Sequence, residues 1–369
     1  MVDKNNKKKI CIAIHGLAQA GAERVAASWA NYLVKQGHDV FAVVYAITDN
    51  TYSLDPGVRV VPIAETREEY FQLAKYKQFL LIRKIIRTER PETIISFLPK
   101  MQISMMLATL GMRIRRVETV RNNPWIDKDV DGKRFLWNLC FRRSDAIIVQ
   151  TKEQSTYFSK RLQKKCVVIS NPISADFVKN KKVYGDEEIS KFVAVARINA
   201  QKNYPMMIRA FAKVAGQNPA CTLDIYGAGS PEAVEDLQEL INRLGMEHNI
   251  YLRGWARDIS RLITTYDAFL MSSDYEGMPN SLLEAMASGM VCLSTDCRTG
   301  PKDMIDSGKS GFLARTGDEE SFAEGIVKIT RMDLEQRIAM GTAAREKILA
   351  LCSEKNTLER LNQLIETEV

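Results

Sequence analysis

Glu276-Gly-Met-Pro-Asn-Ser-Leu-Leu-Glu284 places two carboxylates across a turn and a helix start, with seven residues between them. The apolar run Ala268-Phe-Leu-Met271 just before it has the composition of a buried strand. Gly277-Met-Pro279 breaks the chain, Asn280 is expected to cap, and Ser281 to Ser288 is expected to form a helix stopped by Gly289. A strand feeding a helix through a tight turn leaves the first helical amides, here those of Ser281, Leu282 and Leu283, without intrahelical acceptors. Such amides attract anions. Glu276 in the turn and Glu284 on the first helical turns flank them, so one acid can face the sugar end of a ligand whose phosphate lies at the helix start. The plain alternative is a surface helix start with solvated carboxylates. The strand-to-helix turn at a sheet edge, where α/β sheets bind ligands, favours the site.

Cations stand elsewhere in the second half. Arg197-Ile-Asn-Ala-Gln-Lys202 follows an expected strand, Phe192 to Ala196. Two cations one loop apart at a strand's carboxyl end suit a diphosphate, since a departing nucleotide gains negative charge that fixed cations stabilise. An exposed basic pair is the alternative. Glycine loops close two further strands, at Gly227-Ala-Gly229 and at Gly254.

In this order the motifs resemble those of the family 4 glycosyltransferases, which are retaining, nucleotide-sugar-dependent enzymes of the GT-B type. Residues 276–284 look like the family's Glu-x(7)-Glu donor signature. Arg197 to Lys202 resembles its Gly-Arg-Leu…Lys motif, with Ala196 in the glycine position. Gly227-Ala-Gly229-Ser-Pro-Glu232 resembles its Gly-x-Gly-Pro-Glu loop, and Ile250 to Trp255 the segment whose backbone meets the base. In the first half, Gly16-Leu-Ala-Gln-Ala-Gly21-Ala-Glu-Arg24 resembles the Gly-Gly-Ala-Glu-Arg loop, with Ala20 replacing the first glycine. A glycine needed only for a tight β–α turn explains Gly21 equally well. The G-x-G-x-x-G spacing of a dinucleotide site is missing.

The resemblance implies that Arg197, Lys202 and Glu276 are catalytic. It places Gly21, Gly227, Gly254, Gly277, Asn280, Ser281, Leu282, Leu283 and Glu284 at the donor, with Glu284 on the ribose. Arg121 and Asn122 then lie on the acceptor side. Arg121 stands where some relatives carry histidine; arginine is no base, so it offers charge stabilisation or phosphate binding. The implied donor is a UDP-sugar, and the implied acceptor a cell-envelope glycan on a polyprenyl diphosphate. No cofactor and no metal are expected, because cations take the metal's place. Asp127, Asp129 and Asp131 form an Asp-x-Asp pattern, which a polar surface turn explains. Two rival readings use the same architecture: a sugar-nucleotide epimerase, and a non-catalytic sugar-nucleotide-binding protein.

The elements that must position these residues alternate strand and helix. Strands are expected at Lys9–His15, His38–Tyr45, Val58–Ile63, Thr93–Phe97, Arg116–Val120, Ala146–Gln150 and Val167–Ser170, with a first helix over Ala22 to Gln36. A second series starts at Phe192. The pattern predicts an α/β protein of two Rossmann-like, doubly wound parallel-sheet domains, which the GT-B resemblance sets facing a central cleft. We expect an N-terminal acceptor domain over residues 1–175 and a donor domain over 190–350. A low-apolar linker is expected from Pro172 to Lys191, and a C-terminal helix over 351–369 that returns to the first domain.

The chain has 369 residues, 46% apolar and 26% charged, enough for two cores. No apolar run approaches the length of a membrane span. The basic start followed by a short apolar run reads as a first strand rather than a signal peptide. Seven cysteines without a Cys-x-x-Cys pair suggest buried thiols in a reducing cytoplasm. The net charge of +7 is uneven: residues 1–180 carry 30 Lys and Arg against 17 Asp and Glu, the rest 22 against 28. No zinc spacing or recognition helix accompanies that charge, which argues against nucleic acid. A helix expected from Tyr70 to Arg90, the Met112–Arg116 segment and Lys133 to Arg143 mix cations with apolar residues. They suggest peripheral docking on the anionic inner face of the cell membrane; a core-facing helix with a solvated charged face is the alternative.

Overall fold

The computed structural model describes residues 7–18, 21–47, 52–127 and 130–367. Ala20 and Asp129, named above, lie outside them. The chain forms two compact units: residues 1–172 with 355–369, and residues 173–354.

Among the described residues the first unit holds seven strands, β1 (Lys9–Ala13), β2 (Asp39–Val44), β3 (Arg59–Pro62), β4 (Thr93–Ser96), β5 (Arg115–Thr119), β6 (Ala146–Val149) and β7 (Cys166–Val168). They pair in parallel in the order β3-β2-β1-β4-β5-β6-β7. Alternate residues of β1 enter opposite cores: Ile10 and Ile12 pack on one face, Cys11 and Ala13 on the other. Helices cover both faces, as a parallel sheet requires. The last helix, Glu354–Glu366, belongs to this unit from Lys355 on and buries Leu358, Leu361 and Ile365 in its core. Its terminal carbonyls are met by cations: Lys8 Nζ and Arg115 donate to Ile365 at 2.7 and 3.2 Å.

The second unit holds β8 (Lys191–Val195), β9 (Thr222–Tyr226), β10 (Ile250–Gly254), β11 (Ala268–Met271), β12 (Val291–Thr295) and β13 (Phe312–Ala314). Their parallel order, β10-β9-β8-β11-β12-β13, repeats the doubly wound plan.

Three expectations need correction. The segment from Pro172 to Lys191 is no linker, because from Ile173 it belongs to the second unit. Polar bonds stitch it down. Lys182 N–H donates to the Ser288 carbonyl at 2.8 Å, the Val291 N–H donates to the Tyr184 hydroxyl at 2.7 Å, and Arg337 donates to the Glu187 carbonyl at 2.7 Å. The helix expected over Tyr70 to Arg90 is two helices, Arg67–Gln72 and Lys75–Glu89. Gln78 Nε2 donates to the carbonyls of Tyr70 and Leu73 at 2.9 and 3.0 Å, satisfying backbone acceptors at the break. The helix expected from Ser281 starts instead at Asn280.

Candidate active site

The helix after β11 runs Asn280–Ala287. Leu, Glu, Ala and Met favour it, and Leu282, Leu283 and Met286 lie in the core. At its end Gly289 takes φ 75°, the Gly289 N–H donates to Met286 and the Met290 N–H to Ala285, a glycine-stopped terminus. At its start the structure departs from expectation. Asn280 is the first helical residue rather than the cap; the cap position is Pro279, which has no capping side chain. The Leu283 amide is consequently not unpaired, since it donates to the Pro279 carbonyl at 3.1 Å. Ser281 and Leu282 remain in the first turn, where amides precede the first intrahelical acceptor.

The turn before this helix is held from two directions. From the loop after β12, Thr299 Oγ1 donates to the Glu276 carbonyl, and from the end of β12 itself Thr295 Oγ1 donates to the Ser273 carbonyl at 2.5 Å. Thr299 does so from a left-handed φ of 68°, an unusual conformation for a β-branched residue. Gly300 (φ 85°) leaves no room for a side chain, because a Cβ there would lie 2.8 Å from the Gly277 carbonyl oxygen and from Pro279 Cδ.

From the loop after β8 come further bonds. The Gln201 carbonyl accepts the Asp274 N–H at 2.9 Å, and Asn203 Nδ2 donates to Asp274 Oδ1 at 2.8 Å. Ser272 Oγ donates to the Lys202 carbonyl at 2.7 Å. Lys202 Nζ reaches Glu276 Oε1 at 2.5 Å, an ion pair between two largely buried side chains. Asn203 makes the geometry possible by taking φ 45° and capping the next helix, Tyr204–Ala215, through the Met206 N–H.

Arg197 stands exposed at the end of β8, in the same loop as Lys202. The neighbouring strand ends close ranks beside it. The Ala196 N–H donates to Tyr226, the Ile198 N–H to Ala228 and the Gly227 N–H to Gly254, at 3.0, 2.8 and 2.8 Å. A Cβ on Gly227 would run into the Ala196 carbonyl, so glycine is needed there for backbone approach. Glu284 is buried one turn into the helix, 6% exposed, as is Glu276.

Of the residues expected at the site, Lys202 and Glu276 therefore touch, and Gly277, Asn280 and Ser281 follow Glu276 on the same turn. Gly227 and Gly254 bond each other beside the Arg197 loop. Sequence reasoning missed Gln201, Asn203 and Thr299. The Thr-Gly-Pro turn was a signal for Thr299; nothing in the local sequence marks Gln201. Burial raises the pKa of Cys297, with the charge of Glu276 adding to the effect, so this thiol stays protonated. Among the described residues no group of three His, Cys, Asp or Glu side chains is placed to hold a metal ion.

Gly21, Arg121 and Asn122 lie in the first unit. Gly21 opens the helix Gly21–Lys35. Arg121 follows β5, its guanidinium carbon 4.4 Å from the Trp29 ring and 5.0 Å from that of Phe97. Its Nη1 donates to Asn171 Oδ1 at 3.0 Å, while Nε and Nη2 are buried with no hydrogen-bond partner among the described residues. Burial lowers its pKa, yet it stays a cation at neutral pH. The Asn122 carbonyl accepts Gln154 Nε2 at 3.2 Å.

Residues 176–347 match the family described as Glycosyl transferases group 1, and residues 20–177 match Glycosyltransferase Family 4. The chain is a family 4-type glycosyltransferase. Its relatives include a Campylobacter jejuni N-acetylgalactosamine-N,N'-diacetylbacillosaminyl-diphospho-undecaprenol 4-alpha-N-acetylgalactosaminyltransferase, 23% identical over 97% of this chain and 100% of the relative. An uncharacterized glycosyltransferase of Methanocaldococcus jannaschii is 28% identical over 62% of this chain and 61% of its own length. Among solved structures, a mutant of Staphylococcus aureus TarM in complex with fondaparinux, alpha-GlcNAc-glycerol and UDP superposes with a TM-score of 0.78. It is 15% identical, with 98% of this chain and 100% of that one covered. Anabaena HepE in complex with UDP and glucose gives 0.76 at 18% identity, covering 98% and 100%. The fold of this glycosyltransferase is thus GT-B. Neither the epimerase nor the non-catalytic reading is favoured by these likenesses.

Proposed function

We propose that the chain is a retaining glycosyltransferase that moves a hexose or N-acetylhexosamine from a UDP-sugar to a cell-envelope glycan, carried on a polyprenyl diphosphate. The observation that carries this reading is the 2.5 Å contact between Lys202 Nζ and Glu276 Oε1. It joins a cation suited to a diphosphate and an acid suited to a sugar, at the start of the helix Asn280–Ala287. UDP is favoured because TarM and HepE bind it, and a lipid diphosphate because the Campylobacter relative acts on one.

In this reading Arg197, Lys202 and the amides of Ser281 and Leu282 hold the diphosphate, with Gly277 and Asn280 shaping the turn. Gly227 and Gly254 bring backbone to the nucleotide, Glu284 bonds the ribose hydroxyls, and Gly21 approaches the phosphates. Glu276 stabilises the positive charge that develops at the anomeric carbon. The bond from that carbon to the diphosphate oxygen breaks, with its electron pair leaving on the diphosphate. The acceptor oxygen bonds on the same face, and its proton passes to the departing diphosphate. Fixed cations perform the charge neutralisation that a metal would supply. Arg121 and Asn122 serve the acceptor.

The protein works in the cytoplasm, on the inner face of the cell membrane. Phe71, Tyr76 and Leu80 are 56%, 62% and 54% exposed, beside Lys75, Lys77, Lys84 and Arg87 on the same pair of helices. Apolar side chains set among cations suit an anionic bilayer surface. Among the described residues no helix is long and apolar enough to cross a membrane.

The decisive experiment incubates the protein and EDTA with UDP-sugars and a polyprenyl-diphosphate-linked acceptor. The product's anomeric configuration is then read by NMR. Transfer with the donor's configuration kept supports the proposal; inversion, or activity abolished by EDTA, refutes it.

A further inference from the structure

The Glu276 carboxylate is held at both of its oxygens. Lys202 takes Oε1 at 2.5 Å, and Gln201 Nε2 lies 3.3 Å from Oε2. The same Gln201 nitrogen donates to the Tyr275 carbonyl at 2.8 Å. Both groups facing this end of the amide are acceptors only, so the NH2 end must point at them. The Gln201 backbone carbonyl also fixes Asp274. One residue thus grips the turn at three points, within a short 3-10 turn, Ala200–Lys202, whose entry is capped by Asn199.

Lys202 and Gln201 differ in what a ligand does to them. An arriving diphosphate competes for the ammonium of Lys202, because a phosphate offers more charge than one carboxylate oxygen. A neutral amide has little attraction for that anion. When Lys202 turns to the phosphate, Glu276 loses its charged partner and gains freedom at the moment it must face the sugar.

We propose that Gln201 is a positioning residue for the transfer reaction. It keeps the Glu276 carboxylate in place through Oε2 while Lys202 changes partner from Glu276 to the donor's diphosphate, leaving Oε1 for the sugar. The proposal rests on the glycosyltransferase reading above. Glutamine fits this role where charged side chains would not, since a second carboxylate would repel Glu276 and a second ammonium would follow Lys202 to the phosphate.

The test uses the full chain with Gln201→Met, which keeps the side chain's length and removes the amide, and Gln201→Glu. Steady-state transfer from a UDP-sugar is measured over a pH series, and UDP affinity by calorimetry. For Gln201→Met, kcat falls about ten- to a hundredfold, the order that misplacing a catalytic group by a fraction of an ångström costs, while KM for the donor and the Kd for UDP stay within about twofold. For Gln201→Glu, the acid limb of the kcat–pH profile moves to higher pH, since adjacent carboxylates resist ionising together. Equal losses in kcat and UDP affinity, or an unmoved acid limb, would overturn the role as merely structural. A Gln201→Met variant as fast as an active wild type overturns this role alone. A wild type that binds UDP and transfers nothing overturns the reading on which it rests, and the role with it.

Discussion

Lys202 and Glu276, 74 residues apart in sequence, meet at 2.5 Å with both side chains largely withdrawn from water. Each neutralises the other, which keeps a cation and an acid close without leaving either charge buried alone. Replacing Lys202 by Met removes the proposed diphosphate partner and leaves Glu276 uncompensated. Hydrogen bonds to charged groups contribute about 1.5–3 kcal/mol, so the Kd for UDP should rise roughly ten- to a hundredfold by calorimetry. Unchanged UDP affinity would place the diphosphate elsewhere.

Gly300 and Gly308 separate backbone strain from collision. Both have left-handed φ, 85° and 84°, but a Cβ on Gly308 meets nothing within 4 Å, whereas on Gly300 it meets the Gly277 carbonyl and Pro279. Each Ala substitution should lower the Tm, Gly308→Ala through about 1–2 kcal/mol of left-handed strain and Gly300→Ala through up to about 3 kcal/mol, since its ψ of −80° lies outside the left-handed helical well. Only Gly300→Ala should also displace the Glu276 turn, lowering kcat for transfer at least tenfold on the order expected for small misplacements. Equal activity in the two variants would show that the turn does not depend on Gly300.

Glu118 on β5 is buried, its Oε2 has no hydrogen-bond partner among the described residues, and burial pushes its pKa up from 4.5 to about 8. Between those values the folded chain holds a proton that the unfolded chain has released. Stability therefore falls as pH rises through that window, with a slope of up to ~1.4 kcal/mol per pH unit from this group. Glu118→Gln should have a higher Tm than wild type at pH 8 and a similar one at pH 4.5. A wild-type Tm unaffected by the substitution at pH 8 would contradict the buried neutral acid.

The helices Arg67–Gln72 and Lys75–Glu89 should bind vesicles rich in anionic lipid and release them as salt rises. Reversing Lys75, Lys77 and Lys84 to Glu should abolish co-sedimentation, and Phe71→Ser should weaken it. Sedimentation with no preference for anionic lipid would remove membrane docking from the account.

Much of this architecture was legible in the chain. The run Ala268–Met271 is a strand with those same bounds, because four consecutive apolar residues between polar turns fit little else. β1, β2, β4 and β6 were shifted or shortened by only a few residues at their ends. Misreadings occurred where distant polar groups decide local structure. Asn280 looked like a cap, but Thr299 and Gly300, about twenty residues later, hold the Gly277–Pro279 turn so that the helix begins earlier. The stretch after Pro172 looked like a linker because charged residues crowd it, yet Ile173, Phe177 and Ile189 are buried in the second unit's cores, and Lys182, Tyr184 and Arg337 add polar attachments. Gln201 escaped notice for the same reason: its partners are 74 and 75 residues away.

Glu276 tests the account most directly, with Asp274 two residues earlier as the comparison, since Asp274 bonds Asn203 rather than the proposed reaction centre. Rates of sugar transfer from the UDP-sugar should be compared for Glu276→Gln and Asp274→Asn. If Glu276 steadies the reacting sugar, Glu276→Gln loses about a hundredfold or more in kcat, the scale of an electrostatic group aimed at the transition state, while Asp274→Asn stays within a few-fold of wild type. Equal losses, or full activity in Glu276→Gln, would contradict it.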